Sequence, residues 1–164
     1  MFGWSRRERA AEALRRGARA AMTGGFFHHT EAQRFGLNEE AEAYLYTEAM
    51  VHQIYALAVL YRLTLLGKGK WATPEFFFKS VGKGLAEHER ESELAPGSVS
   101  SFVFKRLMDM GNLSPEQTRD GEHFNQSVAL VREYDPSADK SAIHVALQKA
   151  SEEYFSHARK MFGI

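Results

Sequence analysis

Residues 38–66 read NEEAEAYLYTEAMVHQIYALAVLYRLTLL, and this stretch decides the fold. Asn38 is a good helix N-cap, and Glu39, Glu40 and Glu42 follow it where the helix dipole favours negative charge. Gly67 supplies a stop, with Lys68 and Lys70 near the carboxyl end that attracts cations. Between these signals the spacing predicts a helix of about eight turns. Its second half, Ile54 to Tyr61, is apolar on every side. A helix wetted on one face carries a polar stripe, so this one is expected to run through the middle of a bundle. The uninterrupted apolar run is about eight residues, short of the roughly 18 to 20 that span a bilayer, and it is read as a core helix.

Outward from this helix, punctuation divides the chain into about six helical segments. Ser5 and Glu8 form a capping box for a first helix through Met22, closed by Gly24 and Gly25. A loop of Phe26, Phe27, His28, His29 and Thr30 leads to a short turn around Glu31 to Phe35. Thr73 and Pro74 open a third helix toward Glu93, weakened by Gly82 and Gly84. Pro96 and Gly97 break the chain before a fourth, from Ser98 or Ser100 to Met110. Ser114, Pro115 and Gln117 start a fifth, running to Tyr134 with Gly121 as its weak point, and Asp135 with Pro136 opens a sixth that ends near Phe162. Only Ser98 to Phe104 suits strand as well as helix. The expected fold is an all-α, single-domain bundle over residues 1–164, built around the long central helix at 38–66.

The chain has 164 residues, no cysteine, and 12 Phe, 6 Tyr and 2 Trp, which is ample material for one core without disulfides or thiolate metal sites. Lysine and arginine total 21 against 21 acidic residues, so no whole-molecule field draws the chain to nucleic acid or anionic lipid. The arginines of the first helix leave no room for the apolar core of a secretory signal, and cytoplasm is the default compartment.

Charge is nevertheless uneven. Residues 1–25 make a basic amphipathic helix in which Glu8, Arg9, Glu12, Arg15, Arg16 and Arg19 share one face, with alanines over most of the rest. The small-residue face permits close approach to another helix, on the bundle or on a partner, and buries little area in lipid. The arginines are expected either to be laced to Glu12 on a solvated face or to dock a protein partner. Phe76, Phe77 and Phe78 point about 100° apart from one another on a helix, so they cannot all face one core. At least one needs a second cover, from another helix or another subunit. The acidic run from Glu87 to Glu93 reads as a solvated helix end.

Seven histidines are the other candidates for chemistry. Glu48 stands four residues before His52, Glu153 four before His157, and Asp120 three before His123, spacings that place acid and imidazole on one helix face. Such pairs bind divalent metals or form a base with its orienter. His52 lies on the most apolar helix and needs a hydrogen-bond partner if buried, with Glu48 the obvious one. Tyr44, Tyr55 and Tyr61 on the same helix suit the lining of a pocket. No nucleophile elbow, phosphate loop, zinc motif or dinucleotide fingerprint is found.

The expected function is that of a helical interaction or adaptor protein, self-associating as a dimer or binding a protein partner. Arg9, Arg15, Arg16, Arg19 and Phe76 to Phe78 are its contact residues. The alternative is a metal- or small-ligand-binding protein using Glu48, His52, His123 and His157, in which a divalent metal is possible though no cofactor is required. The third reading is binding to nucleic acid or an anionic membrane through the arginine helix, and neither is the expected partner.

Overall fold

A computed structural model describes residues 3–23, 25–112 and 115–163. Among these the chain forms eight helices and no strand: α1 (Arg6–Met22), α2 (His29–Gln33), α3 (Glu39–Thr64), α4 (Pro74–Glu91), α5 (Ser98–Gly111), α6 (Pro115–Arg119), α7 (Glu122–Tyr134) and α8 (Lys140–Met161). The start signals act locally as side-chain chemistry requires. Ser5 Oγ accepts from the Glu8 amide at 3.2 Å while Glu8 returns a carboxylate to the Ser5 amide at 2.7 Å. Asn38 Oδ1 accepts from the Ala41 amide at 2.9 Å, and Thr73 Oγ accepts from the Phe76 amide at 3.2 Å with Pro74 behind it.

Eight helices stand where about six are expected, for two reasons. The turn before α3 closes into the short α2, and the expected fifth helix breaks at Gly121. That glycine has φ +79°, a left-handed conformation that ends α6 and begins α7. The predicted cap Ser114 and the stop at Gly24 lie outside the described residues. The last helix begins at Lys140, four residues beyond Pro136, because Asp139 takes the cap role and accepts from the Ala142 amide at 3.0 Å. Asp135 instead caps the turn at Ser137 and accepts from the Asn38 amide at 3.0 Å, tying the end of α7 to the start of α3.

The central helix packs on α1, α2, α5, α7 and α8. Its carboxyl half belongs to one apolar cluster with α1, α4, α5 and the end of α8, through Leu14, Leu57, Tyr61, Val81, Leu85 and Tyr154. Its amino half belongs to a second with Phe27, Phe124, Val131, Ile143 and Leu147. Phe27, from the predicted aromatic loop, is 1% exposed and plugs this second cluster.

The glycines expected to weaken α4 do not divide it. A Cβ on Gly84 would collide with the Arg15 carbonyl and come within 2.9 Å of the Ala18 methyl, so the absence of a side chain lets α1 lie directly against α4. The small-residue face of α1 is therefore used inside the chain. Tyr154 completes the contact from α8, donating its hydroxyl to the Gly17 carbonyl at 2.6 Å. Among the described residues no helix is long and apolar enough to cross a membrane.

Candidate functional site

Between the two apolar clusters lies a group of polar side chains that water does not reach. Glu48, His52 and Ser127 are each 0% exposed, with Arg106 and His123 buried beside them, and Gln53, the residue after His52 on α3, is 0% exposed as well. Glu48 and His52 come from adjacent turns of α3, His123 and Ser127 from adjacent turns of α7, and Arg106 from α5.

Arg106 forks onto the Glu48 carboxylate, Nε to Oε1 at 2.8 Å and Nη2 to Oε2 at 3.3 Å, and its Nη1 reaches Asp109 at 3.1 Å. Burial works against the guanidinium charge, but Glu48 and Asp109 outweigh it and hold the Arg106 pKa above its ordinary value. Ser127 Oγ donates to Glu48 Oε2 at 2.6 Å and stands 2.7 Å from His52 Nε2. The serine has one proton, and the carboxylate takes it. His52 Nε2 must then carry a hydrogen and donate to Ser127, which leaves Nδ1 as a bare lone pair. That Nδ1 has no partner, nor has Nδ1 of His123, nor either end of the Gln53 amide.

The imidazoles are held neutral. For His52 the cause is burial, reinforced by His123, Arg106 and His144, and its pKa lies well below the ordinary value. Burial, with His144 adding to it, lowers His123 to about 4. Both rings pack on Phe124, with centroids at 4.6 Å and 4.1 Å. Tyr55 covers His123 at 5.1 Å. Tyr44 edges the site, and its hydroxyl resists ionisation because it is buried and faces Glu48.

Acid, serine and imidazole in contact invite comparison with nucleophilic catalysis, but the order is wrong. A serine nucleophile hands its proton to imidazole, whereas Ser127 gives its proton to Glu48 and receives one from His52. It is also sealed from solvent. What the arrangement does is clamp α3, α5 and α7 at one point. No three of the described histidine and acidic side chains converge in a way that could hold a metal ion.

The expected residues are thus brought together in part. Glu48, His52 and His123 meet, while His157 is exposed on α8 with its ring against Phe26 at 5.2 Å. The predicted direct Glu48–His52 bond is replaced by a relay through Ser127. Asp120 and His123 do not share a helix face, since the break at Gly121 separates them, and Asp120 faces Arg119 at 3.5 Å. Tyr61 points away from the site and donates to the Thr73 carbonyl at 2.9 Å. Arg106 and Ser127 escaped sequence reasoning, although each carries a signal. Arg106 lies in the stripe Val103, Leu107, Met110, and Ser127 in the stripe Phe124, Val128, Val131, so each is a polar residue on an otherwise apolar face.

The arginines of α1 divide into two sets. Arg15 takes Glu12 through Nη2 at 2.6 Å and Glu87 through Nη1 at 2.5 Å. Arg19 takes Glu87 at 3.4 Å and also pairs with Glu91. The acidic run of α4 is therefore not simply a solvated end, because the close α1–α4 approach brings it under these arginines. Its Glu89 turns the other way and accepts from the amides of Gly97, Val99 and Ser100 at 2.7, 3.0 and 2.8 Å, capping α5. Burial pushes the Glu89 carboxyl up, yet these bonds prevail and lower its pKa. Arg9 donates to the Trp4 carbonyl at 2.5 Å, and Arg16 is exposed without an ion pair to a described residue.

Of the three phenylalanines, Phe77 is buried, Phe76 lies against Trp71 at 5.0 Å, and Phe78 is 41% exposed with its ring edge on Phe104 at 5.4 Å. Arg7 stands 6.0 Å above the Phe76 ring. A cleft of about 690 Å³ opens there between α1 and α4, bounded by Trp4, Arg7, Phe76, Lys79 and Lys83, with Glu8 and Glu12 along one edge.

No family model, curated protein or solved structure matches this chain.

Proposed function

We propose that the protein is a helical interaction protein that self-associates head to tail, with the α1–α4 cleft receiving the opposite pole of a second copy. The observation that carries this reading is the cleft itself, which joins Arg7 and Arg15 of α1 to the Phe76 region in one concave surface of aromatic rings and cations, with Arg7, Arg15, Lys79 and Lys83 outnumbering Glu8 and Glu12. Arg7, Lys79 and Lys83 form no ion pair with a described residue, so their charge is available to a partner. At the amino end of α3, a helix of 26 residues and so about 39 Å long, the surface has the complementary character. Glu39, Glu40 and Glu133 are exposed there, and so is Tyr134, at 44%. The Asn38 side chain, bonded to the Tyr134 carbonyl at 2.7 Å, holds these groups together. An exposed tyrosine at an acidic end of the bundle suits a cleft in which rings and cations predominate.

Contacts of this kind are heterologous: a dimer keeps one free cleft and one free knob, and it grows unless rotation closes a ring. The test is light scattering on eluted protein at low salt. We expect mass above that of one chain, falling as salt rises. Lys79→Glu with Lys83→Glu abolishes assembly, Glu39→Lys with Glu133→Lys does the same, and mixing the two variants restores it. A strict monomer at every concentration, or a mixture that stays monomeric, overturns the proposal.

A second reading, a small-ligand protein centred on Glu48, His52 and His123, has the unpartnered imidazole nitrogens in its favour. It requires bound metal or ligand in untagged protein and a loss of thermal stability on chelation or extraction.

A further inference from the structure

Another surface at the basic pole carries an inference that stands apart from self-association. The carboxyl ends of α3 and α8 and the amino end of α1 meet around a cleft of about 570 Å³. Arg6, Arg9, Lys68 and Lys160 line it without a single acidic side chain, and its floor is apolar, including Ala13, Leu65, Met161 and Phe162. The other clefts mix the signs: Glu8 and Glu12 stand with Lys79 and Lys83, Glu133 with Arg132, Glu31 with Arg34. On the rim Leu63 is 70% exposed, and Trp4, reached through the adjoining cleft that shares Arg9 and Met161, is 57% exposed.

Helix electrostatics accounts for part of this arrangement. Lys68 and Lys160 sit at helix carboxyl ends, where the dipole favours cations, but Arg6 and Arg9 lie in and just past the first turn of α1, where it disfavours them. Nor does the dipole explain a leucine turned to water at the end of a helix that is buried through its middle. Cations around an apolar prominence are what an anionic bilayer surface takes up, with charge drawing the protein in and side chains entering between the head groups. The amphipathic α1 is too thinly apolar to do this by itself. The fold supplies what it lacks, by setting Leu63 of α3 beside its arginines.

We propose that this pole docks on an anionic lipid surface, with Leu63 and Trp4 inserted and Arg6, Arg9, Lys68 and Lys160 against lipid phosphates and carboxylates. Co-sedimentation of the full chain with phosphatidylcholine vesicles, with and without phosphatidylserine, tests it. The expected result is binding only when phosphatidylserine is present, reversed by salt. Each cation is worth about fivefold in partitioning, so Lys68→Ala weakens binding by about that factor. Leu63→Ser weakens it roughly tenfold through lost insertion. Both residues are exposed, so circular dichroism should be unchanged, and Val145→Ser, on the exposed side of α8, should bind like the parent. Absence of binding to phosphatidylserine vesicles, or equal binding to neutral ones, overturns the proposal. Binding that Leu63→Ser leaves intact overturns it too, in favour of attraction to polyanions by charge alone. The Lys79/Lys83 variant, which blocks self-association, should still bind vesicles, so the two proposals fail separately.

Discussion

Two arginine–glutamate networks link helices of this bundle, and they differ in what surrounds them. On the α1–α4 face, Arg15 and Arg19 share Glu12, Glu87 and Glu91 with side chains about a quarter to more than half exposed. Between α3 and α5, Arg106 and Glu48 form the same kind of pair at 8% and 0% side-chain exposure. Water solvates the first network whether or not its members meet, so each pair is worth at most about 1 kcal/mol. It cannot solvate the second. A buried ion costs several kcal/mol in lost hydration, and the structure meets that cost with four polar contacts to the two ions: two from Arg106 to Glu48, one from Arg106 to Asp109, and one to Glu48 from Ser127, which His52 holds in turn. The comparison teaches that an ion pair's importance lies in what is left behind when one member is removed.

The most severe way to break the comparison is Arg106→Ala. Glu48 then stays buried with Ser127 alone, and the expected loss is about 3–5 kcal/mol, read as the urea midpoint or as a melting-temperature drop on the order of 10 °C. Replacing both members, Arg106→Met with Glu48→Leu, removes the stranded charge and should recover most of the loss. A single variant costing no more than a surface pair would show that solvent reaches Glu48 after all.

Acid should separate the two networks next, because the buried one has two buried imidazoles in contact, His52 and His123. His52 is depressed well below 6.5 and His123 to about 4, so between those values the unfolded chain binds protons that the folded chain refuses. The sign follows: this part of the stability is fully present above pH 6.5 and is lost as pH falls toward the folded values, by up to about 1.4 kcal/mol per pH unit for each proton. His123→Phe, placed between Phe124 and Tyr55, should flatten that slope by one proton. An unchanged slope between pH 7 and 5 would mean that His123 titrates as it does in the unfolded chain.

The difference between the networks also explains what was legible in the sequence. Caps and breaks are local, so Ser5, Asn38, Thr73 and Gly97 mark helix ends correctly, and the all-apolar half of α3 places it at the centre. Asp135 and Asp139 are both competent caps, so the sequence places the start of α8 too early; in the fold Asp135 is engaged by Asn38 and Ser137 and Asp139 caps the helix. Glu48 and His52 could be singled out by their burden of polarity on an apolar helix. Their true partners could not be named, because Arg106 and Ser127 lie 58 and 79 residues from Glu48. Helical spacing reports neighbours only within a few turns, so it suggested a direct Glu48–His52 bond where tertiary packing inserts a serine. The same limit hid the meeting of Arg15 and Glu87, each of which read as a solvated charge on its own helix.

The mildest test concerns that meeting. Glu87→Gln removes the carboxylate shared by Arg15 and Arg19, yet Arg15 retains both of its bonds to Glu12 and Arg19 retains Glu91. The expected cost is below about 1 kcal/mol, and it should shrink in raised salt because the pairs lie within reach of solvent ions. Glu91→Gln should cost less again, since Glu91 is 59% exposed on its side chain. If chemical denaturation instead gave a loss near that of Arg106→Ala, α1 would be held on the bundle by charge. The approach of Gly84 to the Arg15 carbonyl and the Ala18 methyl argues otherwise: two helices that approach this closely gain their adhesion from packing, and the arginines above the seam fix register at small energetic effect.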